Sequence, residues 1–144
     1  MIDTALNWTN AVNQAKATNV LGAVGHLAVI TSQEERNFID ALVSSTKSYW
    51  IGSSNINPQR EWRWTAGPEL NAPVLPFWAS MEPNETSTSC MAYRALLMYD
   101  SPCATLLSYI VEYQCKSWPV NDSLLMYLHS VFVDVRPDLM LAFL

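Results

Sequence analysis

The stretch Gly25-His26-Leu27-Ala28-Val29-Ile30-Thr31-Ser32 decides the fold, because its apolar strand-like run (27–30) leads directly into a helix. Ser32 followed by Glu35 predicts a capping box. The Ser32 hydroxyl would accept a hydrogen bond from a free backbone amide, and the Glu35 carboxylate would accept one from the backbone amide of the cap. The helix is predicted over about 33–45. Its apolar stripe consists of Phe38, Ile39, Leu42 and Val43.

Helical spacing also occurs upstream of this stretch, and strand-like segments follow it. Apolar residues from Trp8 to Ala15 recur at helical spacing and predict a first helix over 8–19. Trp62 and Trp64 alternate with charged residues, which is the two-residue period of a strand with one buried face. Further strands are predicted at 49–52, 89–93 and 109–113.

Length and composition exclude several classes of protein. A chain of 144 residues fits one domain, and 50% hydrophobic against 15% charged residues excludes a disordered chain. The net charge of -5 leaves no basic surplus to neutralise a phosphate backbone, so nucleic-acid binding is not expected. No stretch reaches the ~18–20 apolar residues that span a bilayer. The first eight residues do not have the pattern of a secretory signal.

Residues 66–89 form a long proline-containing loop without a regular period, and long loops in compact domains often carry function. The three cysteines, Cys90, Cys103 and Cys115, allow at most one intrachain bridge and leave one thiol over. Nucleophile elbows, phosphate loops and metal-binding histidine pairs are absent from the sequence, so we do not expect an enzyme.

The order of these elements, together with several short sequence motifs, resembles that of the C-type lectin-like domain family over about residues 8–115. The resemblance implies an α+β fold in which two helices flank small antiparallel sheets with a long loop region. The motifs are Trp8-x-x-Ala11, Gly25 to Ser32, Trp50-Ile51-Gly52, Glu61-Trp62-Arg63-Trp64, Glu82-Pro83-Asn84, Cys90, Cys103 and Tyr109-Ile110-Val111-Glu112.

The resemblance also implies which disulfide bridges to expect. The family usually carries two, and one of them ties the first helix to the last strand, where this chain has Ala15 and Val111. Both ends of that bridge are absent together, which leaves two apolar residues that can pack. Cys90 and Cys103 lie where the second bridge belongs, and Cys115 is left as the odd thiol.

In sugar-binding members of the family, a calcium ion in the long-loop region holds the sugar. Glu82-Pro83-Asn84 resembles the mannose-type selector of these members, and Asp100 matches a further ligand position. The resemblance therefore implies Glu82, Asn84 and Asp100 as the residues that bind both Ca²⁺ and carbohydrate. Thr88 and Tyr99 stand where the family has a carboxylate and an amide, so retained weak calcium binding and a lost site both stay open.

Other polar and aromatic residues are expected to be structural. The positions of the family's auxiliary calcium region read as a turn-rich loop, and Trp78 reads as a core residue or an anchor of the long loop. The alternation of the tryptophans points them into the core, and we expect His26 to make a structural hydrogen bond. The auxiliary positions are Asn55, Asn57 and Gln59, and the core tryptophans are Trp50, Trp62 and Trp64.

The two ends of the chain depart from the family. We assign residues 1–115 to the lectin-like domain, whose leading strand is short or missing, so an unpaired edge is expected at 109–113. Residues 116–144 are an apolar tail of unknown role: either a helix face that covers this edge, or unrelated sequence. The residues of that helix face would be Leu124, Leu125, Leu128, Val131 and Phe132.

Two functions are compatible with these residues. The first is a carbohydrate-binding module, calcium-dependent and mannose-type, whose partner is a glycan or glycoprotein. The second is a calcium-independent lectin-like domain that binds a protein or another ligand. The resemblance implies an extracellular or cell-surface location, where three Asn-x-Ser/Thr sequons, at Asn7, Asn84 and Asn121, could carry glycans. A glycan on Asn84 would block the sugar site.

Overall fold

The computed structural model describes residues 4–20, 22–57, 59–74, 77–84 and 87–114, together with the backbone of 139–142. The two helices lie in the first third of the chain, and most of the strands, which pair mostly antiparallel, follow them, which confirms the predicted α+β class. The elements in chain order are α1 (Trp8–Lys16), β1 (Asn19–Val20), β2 (Ala23–Leu27), α2 (Gln33–Leu42), β3 (Tyr49–Ser54), β4 (Arg63–Trp64), β5 (Ser89–Arg94), β6 (Leu97–Pro102), β7 (Ser108–Tyr109), β8 (Val111–Gln114) and β9 (Leu139–Ala142).

Both helices end earlier than the sequence predicts. α1 stops at Lys16, and Asn19 and Val20 pair instead with β2 in a short hairpin. α2 stops at Leu42, because Val43 takes an extended backbone conformation. The capping box is confirmed at the start of α2, where Ser32 Oγ accepts a hydrogen bond of 3.1 Å from Glu35 N.

The strands form two sheets, and the buried apolar residues form two clusters. One sheet has the order β1-β2-β8-β9, and the other has the order β4-β3-β5-β6, with β7 parallel to β3. α1 packs with β2 and β8 in one apolar cluster, and α2 packs with β3 and β5 in the other. Trp50 and Trp64 are buried as expected, whereas Trp62 precedes β4 and is half-buried.

The predicted strand at 109–113 divides into β7 and β8, which belong to different sheets. Ile110 lies between them and is completely buried. Its amide donates to Trp50 O at 3.2 Å, and its carbonyl accepts from Ala28 N at 2.9 Å. The joint between the two sheets is therefore a single residue whose backbone bonds to β3 on one side and to the end of β2 on the other.

The apolar residues that replace the family's helix-to-strand bridge lie close together. Ala15 and Val111 are both 0% exposed and belong to one apolar cluster. A Cβ added to Gly25 would lie 2.8 Å from both the Ala15 carbonyl oxygen and Val111 Cγ1, so glycine is required for this close approach. The structure thus packs an alanine and a valine where the family has a disulfide.

The edge at 109–113, which the sequence predicts to be unpaired, is covered, so that prediction is wrong. β9 pairs antiparallel with β8 from Val111↔Ala142 to Gln114↔Leu139. Exposed strand edges carry unsatisfied N–H and C=O groups, and pairing with β9 satisfies them. The predicted helix face of the tail lies outside the described residues, and the division of the chain at residue 115 stays a prediction.

We expect truncation after residue 138 to lower the free energy of unfolding by about 1–3 kcal/mol, because the edge of β8 loses a few backbone hydrogen bonds worth about 0.5–1.5 kcal/mol each. Urea denaturation measures the difference. Truncation after residue 142, which keeps β9, is the matched control. Equal stability of the two truncated chains would show that β9 does not stabilise the domain.

Candidate functional site

The Glu82-Pro83-Asn84 segment lies in a tight turn of the long loop. Its Glu82-Pro83 peptide bond is cis. Glu82 N donates to Ala79 O at 3.0 Å, which closes the turn. Met81 occupies the left-handed region with a φ of 66° and is 88% exposed. The turn therefore presents Glu82 and Asn84 on the same short piece of backbone.

Hydrogen bonds bring Glu82, Asn84 and Asp100 together; we call these three residues the loop cluster. Asn84 N donates to Asp100 Oδ1 at 3.1 Å, and Asn84 Nδ2 donates to Glu82 Oε1 at 2.9 Å. The amide of Asp100 lies 3.4 Å from Glu82 Oε2, which accepts from it. Two carboxylates and one carboxamide thus converge at one place.

Asp100 is the rigid member of the loop cluster because it belongs to β6. Its Cα partner on β5 is Met91, which is completely buried, and Asp100 itself is 9% exposed. The disulfide between Cys90 and Cys103, with an S–S length of 2.01 Å, ties β5 to the end of the same hairpin. The bridge is the one that the resemblance implies.

The two acidic side chains of the loop cluster repel each other. The pKa of Glu82 is raised above its ordinary value, first because burial disfavours the charged carboxylate and second because Asp100 lies beside it. Backbone amides of Asp100 and Asn84 oppose the shift by donating to the ionised form. A cation placed between the two carboxylates would relieve this repulsion.

The two family ligand positions that the chain lacks do not contribute charge. Thr88 is exposed, and Tyr99 carries Arg94 over its ring, with the guanidinium carbon 4.8 Å from the ring centroid. Within the described ranges, no three His, Cys, Asp or Glu side chains converge. The loop cluster therefore offers two carboxylates and one amide, which is a small set for Ca²⁺.

Two of the three auxiliary positions make structural hydrogen bonds, and the third, Gln59, is exposed. Asn55 is 7% exposed, and its Oδ1 accepts from Ser89 N at 2.6 Å. Asn57 Oδ1 accepts from Glu61 N at 3.1 Å. Both side chains bond to backbone amides, as a turn-rich loop predicts.

The other residues considered from the sequence are also structural. Trp78 packs against the apolar core, with its ring centroid 4.9 Å from that of Trp62 in an edge-on contact. His26 is 8% exposed, and its Nδ1 lies 3.0 Å from Leu27 O. Met81 adjoins Glu82, and its side chain is exposed. In the sequence, only its position next to Glu82-Pro83-Asn84 connects it with the loop cluster.

In calcium-free buffer, replacement of Glu82 by Gln is expected to raise the melting temperature at pH 7, because the variant removes a carboxylate that is less favourably ionised in the folded state. The wild type recovers this stability as the pH falls through the raised pKa, and the recovery is complete below the ordinary value of 4.5. The difference in melting temperature between the two chains should therefore shrink from pH 7 to pH 4.

Glu34→Gln is the matched control, because Glu34 is exposed on the first turn of α2 and does not belong to the loop cluster. It should show no gain at pH 7. If the difference in melting temperature between Glu82→Gln and wild type grew on acidification, it would contradict the raised pKa of Glu82.

Comparison with known proteins identifies the fold. Residues 4–113 match the sequence model of the lectin C-type domain. The structure superposes on the carbohydrate-recognition domain of the mouse scavenger receptor C-type lectin with a TM-score of 0.67 and 22% identity, covering 81% of this chain and 87% of that one.

The chain also matches full-length proteins and a ligand complex. It is 30% identical over 99 residues to CD209 antigen-like protein C of Mus musculus, covering 67% of this chain and 52% of the relative. A second structural neighbour, with a TM-score of 0.57 and 27% identity, is the C-type lectin domain of murine dendritic cell inhibitory receptor 2 in complex with N-glycan; the match covers 76% of this chain and 82% of that one.

The chain spans between 22% and 52% of the length of the first curated relatives that it matches. In the part of the chain that the structure describes, no helix is both long and apolar enough to cross a membrane. Because the family model covers most of its length, the chain belongs to the C-type lectin domain family.

Proposed function

We propose that this chain is a carbohydrate-binding module that holds Ca²⁺ in the loop cluster and binds mannose-type glycans through it. The observation that carries the proposal is the convergence of the Glu82 and Asp100 carboxylates with the Asn84 amide. The role is that of a binding module rather than an enzyme.

The chemistry of the donors suits a divalent cation shared with a sugar. Ca²⁺ takes about 6–8 oxygen ligands, and the loop cluster supplies carboxylate and carboxamide oxygens. When bound, the ion would add positive charge between the two carboxylates and would orient two neighbouring hydroxyls of the glycan. Water would fill the positions that Thr88 and Tyr99 do not supply, so we expect a dissociation constant of roughly 10⁻⁴–10⁻³ M, as in extracellular modules.

Similarity to glycan-binding proteins supports the carbohydrate part of the proposal. The neighbour that is 27% identical was solved in complex with N-glycan. An extracellular or cell-surface location is part of the same proposal, because disulfides such as Cys90–Cys103 persist in oxidising compartments. The partner would then be a glycan or a glycoprotein.

The second candidate is a calcium-independent lectin-like domain that binds a protein or another ligand. The observation that favours it is the small charge of the loop cluster, since Thr88 stands where a third carboxylate would lie. The loop cluster has few charges to offset the cost of dehydrating Ca²⁺. Calcium titration separates the two candidates.

Calcium should raise the melting temperature, because a ligand that binds the folded state stabilises it by RT ln(1 + [Ca²⁺]/Kd). At a calcium concentration ten times Kd the gain is about 1.4 kcal/mol, which corresponds to a shift of about 3–6 °C. Asp100→Asn and Glu82→Gln should abolish most of this shift, whereas Glu34→Gln should keep it. Differential scanning fluorimetry measures all four chains.

A mannose column tests the sugar. The wild type should be retained in calcium and eluted by a chelator, and Asn84→Asp should lose retention or change the preferred sugar, because it alters the selecting amide. Absence of a thermal shift at millimolar calcium would reject the first candidate and favour the second. A thermal shift without retention on mannose would keep the metal site and reject the sugar.

A further inference from the structure

We propose that Arg36 of α2 is a positioning residue for the loop cluster, because its guanidinium holds the stem of the long loop against the turn that leads into β6. We call residues 77–79 the loop stem. The loop stem leads to Glu82 and Asn84, whereas β6 carries Asp100. The effect on calcium binding rests on the proposed function; the contact of Arg36 with the loop stem does not.

The loop stem lies along β6 at a single residue of that strand. Phe77 O accepts from Met98 N at 2.9 Å, and Ala79 N donates to Met98 O at 2.9 Å. Met98 is completely buried and precedes Asp100 by two residues in the same strand. A shift of the loop stem along β6 would therefore change the distance between Glu82 and Asp100.

The guanidinium of Arg36 contacts both the loop stem and the turn before β6. Its central carbon lies 4.2 Å from the centroid of the Phe77 ring, and its Nη1 donates to Leu96 O at 3.0 Å. A cation over an aromatic face is attracted by the ring, and more strongly where water is excluded. Nε of Arg36 is buried and makes no hydrogen bond among the described residues, so this part of the guanidinium is shielded from water.

The turn is a fixed point for this contact, because two side chains of α2 hold the backbone of Leu96. Asp40 Oδ1 accepts from Leu96 N at 2.9 Å, and Arg36, one helical turn earlier on the same face, donates to the carbonyl of the same residue. Ala95 and Leu96 both lie in the left-handed region, with φ values of 48° and 66°. Such residues persist where their surroundings hold them. Arg36 thus positions the loop stem relative to a turn that α2 itself holds in place.

Local measurements separate a positioning residue from one that only stabilises the fold. Loss of a merely stabilising contact lowers the free energy of unfolding of the whole chain. Loss of a positioning contact also favours a local opening of the loop stem, and it changes the affinity of the chain that remains folded. The amides of Ala79 and Met98 report this opening, because they form the hydrogen bonds between the loop stem and β6.

The experiment uses the full chain, isotopically labelled, and reads both quantities by NMR. Hydrogen exchange in calcium-free buffer measures the opening at the amides of Ala79 and Met98. A calcium titration well below the melting temperature, followed through the amide signals of Asn84 and Asp100, measures the dissociation constant of the folded chain.

Three variants are compared with the wild type. Arg36→Met keeps a long apolar side chain but removes the cation and its donors. Arg36→Lys keeps the cation and loses the planar group that lies over the ring. Val111→Ala is the control for stability alone: it leaves a cavity in the apolar cluster around α1, whereas Phe77 packs against the cluster around α2.

In Arg36→Met we expect the Ala79 and Met98 amides to exchange at least about fivefold faster than in the wild type, with a calcium dissociation constant about three- to tenfold higher. Arg36→Lys should lie between the two chains. Val111→Ala should change both quantities by less than about twofold, because its effect is on global unfolding.

Unchanged exchange of the two amides in Arg36→Met would overturn the proposal, and so would an equal acceleration in Val111→Ala, which would reduce Arg36 to a stabilising residue. Faster exchange with an unchanged dissociation constant would overturn the positioning of the loop cluster. If the wild type does not respond to calcium, the proposed function fails and the effect on the site fails with it, while the exchange rates still decide whether Arg36 holds the loop stem. Phe77→Leu, which removes only the ring, carries the same test if Arg36→Met does not fold.

Discussion

The fold depends on strand β3, because β4, β5 and β7 all pair with it. Trp50 of this strand is completely buried, and its indole N–H donates to Leu6 O at 2.8 Å. The indole N–H of Trp8 in α1 donates to Ile51 O in β3 at 3.0 Å. Gly52 permits the close approach of β3 to the end of β2, since a Cβ there would lie 2.6 Å from the carbonyl oxygen of Leu27. Helix α1 and both sheets are therefore positioned relative to one strand.

This arrangement also fixes one of the three residues of the loop cluster. β5 pairs with β3 and β6 pairs with β5, so Asp100 has a fixed position relative to the core. Glu82 and Asn84 belong to a loop, and they reach Asp100 through hydrogen bonds in which backbone amides take part. These bonds oppose the rise in the pKa of Glu82 that burial, and next the neighbouring Asp100, produce. The loop cluster is thus two like charges held together by the backbone, an arrangement that a divalent cation would stabilise.

Local patterns predicted local structure, and long-range contacts were not predictable. The Ser32 capping box and the burial of Trp64 follow from spacing alone, whereas the Cys90–Cys103 pairing and the site residues follow from the resemblance. The sequence does not predict β6, because the turn before it, Ala95-Leu96, has two positive φ values without glycine or asparagine. That turn is held by Asp40 of α2, whose Oδ1 accepts from Leu96 N at 2.9 Å. The sequence does not predict β9, because its partner, β8, lies far away in the sequence.

The same small donor set that weakens the proposed metal site would increase its dependence on the sugar. Protein side chains supply few of the roughly 6–8 oxygens that Ca²⁺ needs, so the hydroxyls of a glycan would form a larger share of the coordination shell than in a site with more carboxylates. Binding linkage is reciprocal: if calcium raises the affinity for the glycan by some factor, the glycan raises the affinity for calcium by the same factor. Under the proposed function, Ca²⁺ still binds without the glycan, but the glycan raises the affinity for Ca²⁺ more than it would if positions 88 and 99 carried a carboxylate and an amide.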